Sequence, residues 1–210
     1  MKGVFVTFEG IEGSGKSTQM QLLAGKFAEL SIPCLLTREP GGPPISELIR
    51  ALLLNPEHKE MLPETELLLY AASRVQHTGE WILPALEQGK VVLCDRYYDS
   101  TYAYQGAARA QDMDFIRVLT GFATFHRVPD LTFLIDLPVE QGLARITQRT
   151  LDRLELEDIS FHERVRQQYL VLAQENPNRF VVLEGSLPPD ELHQIIFNKV
   201  LAYTGDISAT

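Results

Sequence analysis

The 210-residue chain has no apolar run approaching the roughly 18 to 20 residues that cross a bilayer, and no long apolar segment near its N-terminus of the kind that directs secretion. A cytoplasmic protein without a membrane partner is the expectation. Cysteine is scarce. Cys34 and Cys94 each sit in an apolar, strand-like run, which excludes a disulfide framework or thiolate metal cluster and leaves buried reduced thiols. Positive charge is also short, 19 Lys and Arg against 28 Asp and Glu, for a net charge of -9. That balance argues against a protein that coats nucleic acid, because such proteins displace counterions with a broad basic surface. An anionic small molecule would instead need its few arginines gathered in one place.

What is present is ordinary globular composition, 45% hydrophobic and 22% charged, enough for one α/β domain. Short β-branched runs at Val4 to Glu9, Pro33 to Thr37, Val91 to Asp95, Leu131 to Asp136 and Phe180 to Glu184 read as strands. Helical patterning falls between them, at Lys16 to Leu30, Ile45 to Leu54, Pro63 to Glu87, Asp114 to His126, Val139 to Arg149, Ser160 to Glu175 and Pro189 to Leu201. This alternation predicts a parallel sheet covered on both faces, with ligands at the carboxyl ends of its strands. Gly205 to Thr210 reads as a disordered tail.

The strand at Val4 to Glu9 gives way at once to Gly10-Ile11-Glu12-Gly13-Ser14-Gly15-Lys16-Ser17-Thr18, which has the spacing of a phosphate-binding loop. Glycines let successive N–H groups turn inward as a cradle for phosphate oxygens, and the following helix adds the positive end of its dipole. Lys16 can then reach β and γ phosphates, and the Ser17 hydroxyl can bind Mg²⁺. A nucleoside triphosphate is implied. The chain lacks an Asn-Lys-x-Asp guanine signature, an Asp-x-x-Gly switch and a transporter signature, which leaves a kinase acting on a small molecule.

Asp95 closes the run Val91-Val92-Leu93-Cys94 and precedes Arg96-Tyr97-Tyr98-Asp99-Ser100. A carboxylate at such a strand end can hold Mg²⁺ through its waters, and Arg96 can grip an acceptor phosphate bidentately. Asp136 is the rival metal candidate; with Pro138 directly after it, it reads better as a helix cap. Tyr70 and Arg74 lie four apart on one helix face, where Tyr70 could stack on a pyrimidine and Arg74 donate to its exocyclic carbonyl; a half-buried core tyrosine beside an arginine paired with a neighbouring acid is the plainer alternative. No carboxylate lies three or four residues from Arg74, so any ion partner must come from another element.

Phe8-Glu9-Gly10, Thr37-Arg38-Glu39-Pro40-Gly41-Gly42, Asp95-Arg96-Tyr97 with Ser100, and Ala103-Tyr104-Gln105-Gly106 resemble the thymidylate kinase family in order and spacing, from residue 3 to about 200. The resemblance implies a phosphate-loop nucleoside monophosphate kinase fold with a five-stranded parallel sheet, ATP-dependent conversion of dTMP to dTDP on the way to dTTP, Mg²⁺ and a homodimer. It also implies that Glu9, Arg38, Arg96 and Ser100 line the acceptor phosphate and that Tyr70, Arg74 and Gln105 meet the base. Tyr104 would leave no room for a ribose 2′-hydroxyl. Two departures stand out. Pro43-Pro44 replaces an expected threonine, and Ser73 stands where the family often has an aspartate beside the arginine.

Arg145, Arg149 and Arg153 recur every four residues after the fourth strand, where a lid spanning about 142 to 157 is expected. As a helix they would form one stripe, and like charges at that spacing cost roughly 0.2 to 0.5 kcal/mol per pair, so the stripe calls for an anion. A solvated face offset by Asp152, Glu155 and Glu157 is the plainer alternative. The phosphate loop itself carries no arginine, and the chain resembles the type whose lid supplies it; Arg149 and Arg153 are the candidates for the transferring phosphoryl group, beside Lys16 and Arg96. Another nucleotide kinase, or a nucleotide-binding regulatory module, is the competing reading.

Overall fold

Short runs rich in Val, Leu, Ile and Phe have to hide both faces, and in this chain they do so as a single sheet. The computed structural model describes residues 3–148 and 150–208, the last four of these as backbone only. Strands Val4–Glu9 (β1), Cys34–Arg38 (β2), Val91–Asp95 (β3), Leu131–Asp136 (β4) and Phe180–Glu184 (β5) pair in parallel in the order β2-β3-β1-β4-β5. β1 is central and buried along its whole length. Four strands match the sequence reading residue for residue, β1, β3, β4 and β5, while β2 begins and ends one residue later than expected.

Side chains alternate across a strand. Val4, Val6 and Phe8 pack with Val91 and Leu93 against Lys16–Glu29 (α1) and Pro189–Ser208 (α9). Phe5, Val92 and Cys94 face the opposite side, toward Ile82 and Tyr97. Leu134 packs on that second side with Phe161, Val165 and Tyr169 of Ile159–Glu175 (α8). The same count assigns the functional residues at the strand ends. Asp95 falls on the α1 side, whereas Glu9 falls on the α8 side, where it accepts from the Tyr169 hydroxyl at 2.8 Å.

Pro44–Leu54 (α2) and Pro63–His77 (α3) follow β2. Pro43 and Pro44, the departure noted above, serve as cap and first residue of α2, a position suited to a residue with fixed φ and no N–H. The single helix expected from Pro63 to Glu87 is one helical run that widens to π geometry over Thr78–Ile82 before Leu83–Glu87 (α4), where Pro84 cannot donate to the ladder. Tyr98–Thr101 (α5) continues as a π-helical segment over Tyr102–Ala108, an element the sequence reading lacked. Met113–Ala123 (α6) and Val139–Ala144 (α7) complete the helices. α9 runs to Ser208, four residues into the stretch expected as a tail.

Candidate active site

The chain leaves β1 at Glu9 and its next residues are held by their own lysine. Lys16 Nζ donates to the carbonyls of Gly10 (3.0 Å) and Ile11 (2.7 Å) and to Ser14 Oγ (3.4 Å). Burial, then the neighbouring Arg96, lower its pKa to about 8. No side chain caps α1, whose N-cap is Gly15, so its first N–H groups are left for an anion. Gly13 (φ +70) lies against the backbone of Gly142 in α7, and a Cβ on either glycine would drive into the other segment's backbone. A cleft of about 450 Å³ opens over this loop, bordered by Gly15, Thr18, Arg145, Gly185 and Leu187. Arg145 Nη1 donates to the Gly13 carbonyl at 3.1 Å.

A second cleft, about 210 Å³, opens on the other side of Gly13, Lys16 and Ser17, residues that border both. Arg96, with φ +68, projects into it. Its guanidinium donates to Glu12 Oε1 (2.9 Å), the Tyr169 hydroxyl (3.0 Å) and Ser100 Oγ (3.3 Å). Tyr104 also donates to Glu12 Oε1, at 2.6 Å. Burial pushes the Glu12 carboxyl up, but Arg96, His162 and Lys16 outweigh it and hold the group well below the usual carboxylate range. Glu9 is the reverse case. Burial first and then Asp99 raise it to about 7, against the charge of Arg96 and donations from Ser100 and the Tyr97 N–H. Glu12 thus lines the cleft as an ionised carboxylate, whereas Glu9, expected there from the sequence, is fully buried behind Ser100 and does not line it.

At the far end stand Tyr70, Arg74 and Gln105. Arg74 is 2% exposed, and its Nε donates to Glu39 Oε2 at 2.7 Å, so the partner required from another element comes from just beyond β2. Gln105 donates to Glu66 Oε1 at 2.8 Å. Where α1 begins, Ser17 Oγ donates to Asp95 Oδ2 at 2.6 Å, which puts two hard oxygen donors side by side next to Lys16. Asp136 is neither metal site nor cap. It is held in a fork by Arg166 (2.7 and 2.9 Å), while α7 starts from Pro138 with no side-chain cap.

Three expectations about arginines need correction or fall outside the structure. Arg38 is not in the acceptor cleft: alternation along β2 turns it to the α1 side, where it is 54% exposed and pairs with Glu47 at 3.0 Å. The lid is not a helical stripe. α7 ends at Ala144 and turns follow, so Arg145 and Arg153 point in different directions. Arg153 binds the Leu53 carbonyl (3.0 Å) and pairs with Glu66 (2.6 Å), and it does not line the cleft over the phosphate loop. Arg149 lies outside the described residues. The sequence reading missed Glu39 and Glu66, which orient the base-end residues, and Arg50 and Asp152, which line the acceptor cleft. Glu39 was within reach of the strand count, since it follows Thr37 by two.

This arrangement has close relatives. A family model described as thymidylate kinase matches residues 8–196. A thymidylate kinase of Carboxydothermus hydrogenoformans is 50% identical over 193 residues, covering 91% of this chain and 94% of that protein. One from Trichlorobacter lovleyi is 47% identical, covering 95% and 97%. The crystal structure of thymidylate kinase from Ehrlichia chaffeensis superposes with a TM-score of 0.80 at 33% identity, covering 95% of this chain and all of that one. With a phosphate loop between two clefts, five parallel strands and likeness over nearly its full length, the chain belongs to the thymidylate kinase family.

Proposed function

We propose that the two clefts are the donor and acceptor sites of this family's reaction and that Lys16 stands where they meet. The protein is an ATP:dTMP phosphotransferase, forming dTDP for dTTP synthesis. ATP occupies the larger cleft, its phosphates on the N–H groups of residues 10 to 18 at the start of α1. dTMP occupies the smaller one, with its phosphate toward Arg96 and Ser100 beside Glu9, its sugar against Tyr104, and its base between Tyr70, Arg74 and Gln105. The observation that carries this reading is that both clefts share Gly13, Lys16 and Ser17, so two anions lie head to tail across one lysine.

An oxygen of the dTMP phosphate attacks the γ phosphorus in line, and the ADP oxygen leaves. Because the acceptor oxygen is already ionised, the protein supplies position and positive charge from Lys16, Arg96 and lid Arg149 rather than a strong base. Ser17 and Asp95 fit Mg²⁺, which when bound would neutralise charge on the β and γ phosphates. Residues 142 to 157 act as a lid on one kinase domain that excludes water during transfer.

We place the enzyme in the cytoplasm as a homodimer; no helix among the described residues is long and apolar enough to cross a membrane. ATP turnover measured side by side with dTMP, dUMP, dCMP and dGMP tests the site assignment. dTMP should exceed dCMP and dGMP by about a hundredfold or more in kcat/KM, the scale of a site built to hydrogen-bond one base edge. Preference for dGMP would overturn it.

A further inference from the structure

Arg74 is a long, flexible side chain, and the neighbour expected to steer it is missing: Ser73 is buried, with no hydrogen-bond partner for its Oγ among the described residues. The guanidinium is steered from elsewhere. Glu39 Oε2 accepts a hydrogen bond from Nε at 2.7 Å and the Tyr97 carbonyl accepts from Nη2 at 3.4 Å, while Arg74 itself lines the cleft. A carboxylate held by one oxygen can still rotate. The other oxygen, Glu39 Oε1, lies 3.0 Å from Nδ1 of His77, whose Nε2 lies 2.7 Å from Thr37 Oγ1. Glu39, His77 and Thr37 are all buried, and His77 borders neither cleft.

We infer that His77 is a positioning residue for base recognition: the chain Thr37, His77, Glu39, Arg74 fixes the direction in which Arg74 meets the nucleotide base. The protonation pattern follows from the partners. A carboxylate only accepts, so Nδ1 donates to Glu39, while the Thr37 hydroxyl, able to donate or accept, pairs with Nε2. The ring is also pinned by shape. Gly42, at φ +96, abuts it so closely that a Cβ there would sit 2.7 Å from His77 Cδ2, and Trp81 packs edge-on at 6.3 Å between centroids. The sequence makes this possible through two periods at once. Thr37 and Glu39 are two apart and so share a face at the end of β2, while Arg74 and His77 are three apart and so share a face of α3.

The inference rests on the reading that Arg74 meets the base, and the experiment separates the two. Purified His77→Phe, His77→Gln, His77→Asn and Thr37→Val are assayed with ATP against dTMP and dCMP, beside Arg74→Lys. Phe keeps the ring volume but cannot bind Glu39, and Gln places its amide at the Nε2 end. Both should raise KM for dTMP about tenfold, the size of one lost hydrogen bond to a charged group, with kcat and KM for ATP nearly unchanged. The preference for dTMP over dCMP should fall by a similar factor. Asn, whose amide reaches the Nδ1 position, should restore most of it. Wild-type KM and preference in the Phe and Gln variants overturn the inference, as does a rise of both KM values with a fall in kcat, the mark of general loosening. Should the Phe variant fail to fold, Thr37→Val decides: a few-fold rise confined to dTMP supports the chain, and no change refutes it. If Arg74→Lys alters the preference while the His77 variants do not, only the His77 inference falls; if Arg74→Lys also leaves it unchanged, the base assignment falls.

Discussion

A single lysine sits between the two substrates, and before either arrives it is bound to the carbonyls of Gly10 and Ile11 rather than to solvent. Those dipoles hold the ammonium in place, yet burial and Arg96 still bring its pKa to about 8. Phosphate binds the protonated amine. Above that pH the free protein increasingly holds a neutral amine, and binding must take up a proton from solvent. kcat/KM for ATP, which reports the free enzyme, should therefore fall with rising pH, approaching about tenfold per unit beyond pH 8. A profile that stays flat to about pH 10, the ordinary range for a lysine, would contradict the placement of Lys16. Glu12 shows why residue type alone misleads: its backbone belongs to the phosphate loop, but its carboxylate answers to Arg96 and Tyr104 on the acceptor side.

Among the elements, the phosphate loop meets α7 backbone to backbone, through Gly13 and Gly142. Gly142→Ala would press its methyl group on the Glu12 carbonyl, and overpacking of this kind costs about 1 to 3 kcal/mol. kcat/KM for ATP should drop about ten- to hundredfold in steady-state assays, and an unchanged value would show that α7 does not brace the loop. The elements differ in how far their sequences reveal them. β1, β3, β4 and β5 were readable to the residue because unbroken apolar runs ended in a charged residue. Tyr98–Ala108 was not, since aromatics and alanines without a 3.6 period give no amphipathic signal and π geometry has no sequence signature. The arginines after Ala144 had helical spacing but lacked an apolar face to anchor it: Ile146 and Leu154, eight apart, are the buried apolar residues there. The carbonyls of Gly13 and Leu53 and the carboxylate of Glu66 claimed Arg145 and Arg153 instead, and tertiary partners of that sort leave no mark on local spacing.

On the scale of the whole molecule, α3 packs between α2 and α6, and all three helices expose large apolar side chains. Leu48 on α2, Leu68 on α3, and Phe115, Val118 (73% exposed) and Phe122 (72% exposed) on α6 are exposed, and the proposed homodimer would bury them. Phe122→Glu should shift the enzyme to monomers in sedimentation or light scattering, while an unaltered mass would place the interface elsewhere. The sheet itself sorts chemistry by parity, with Asp95 and Arg38 beneath one roof of helices and Glu9, Thr37 and Glu39 beneath the other. Length is therefore a coarser hazard to this enzyme than substitution. One residue inserted into β3 ahead of Asp95 would transpose the strand's end and strand the carboxylate opposite Ser17, whereas a second insertion would turn it back.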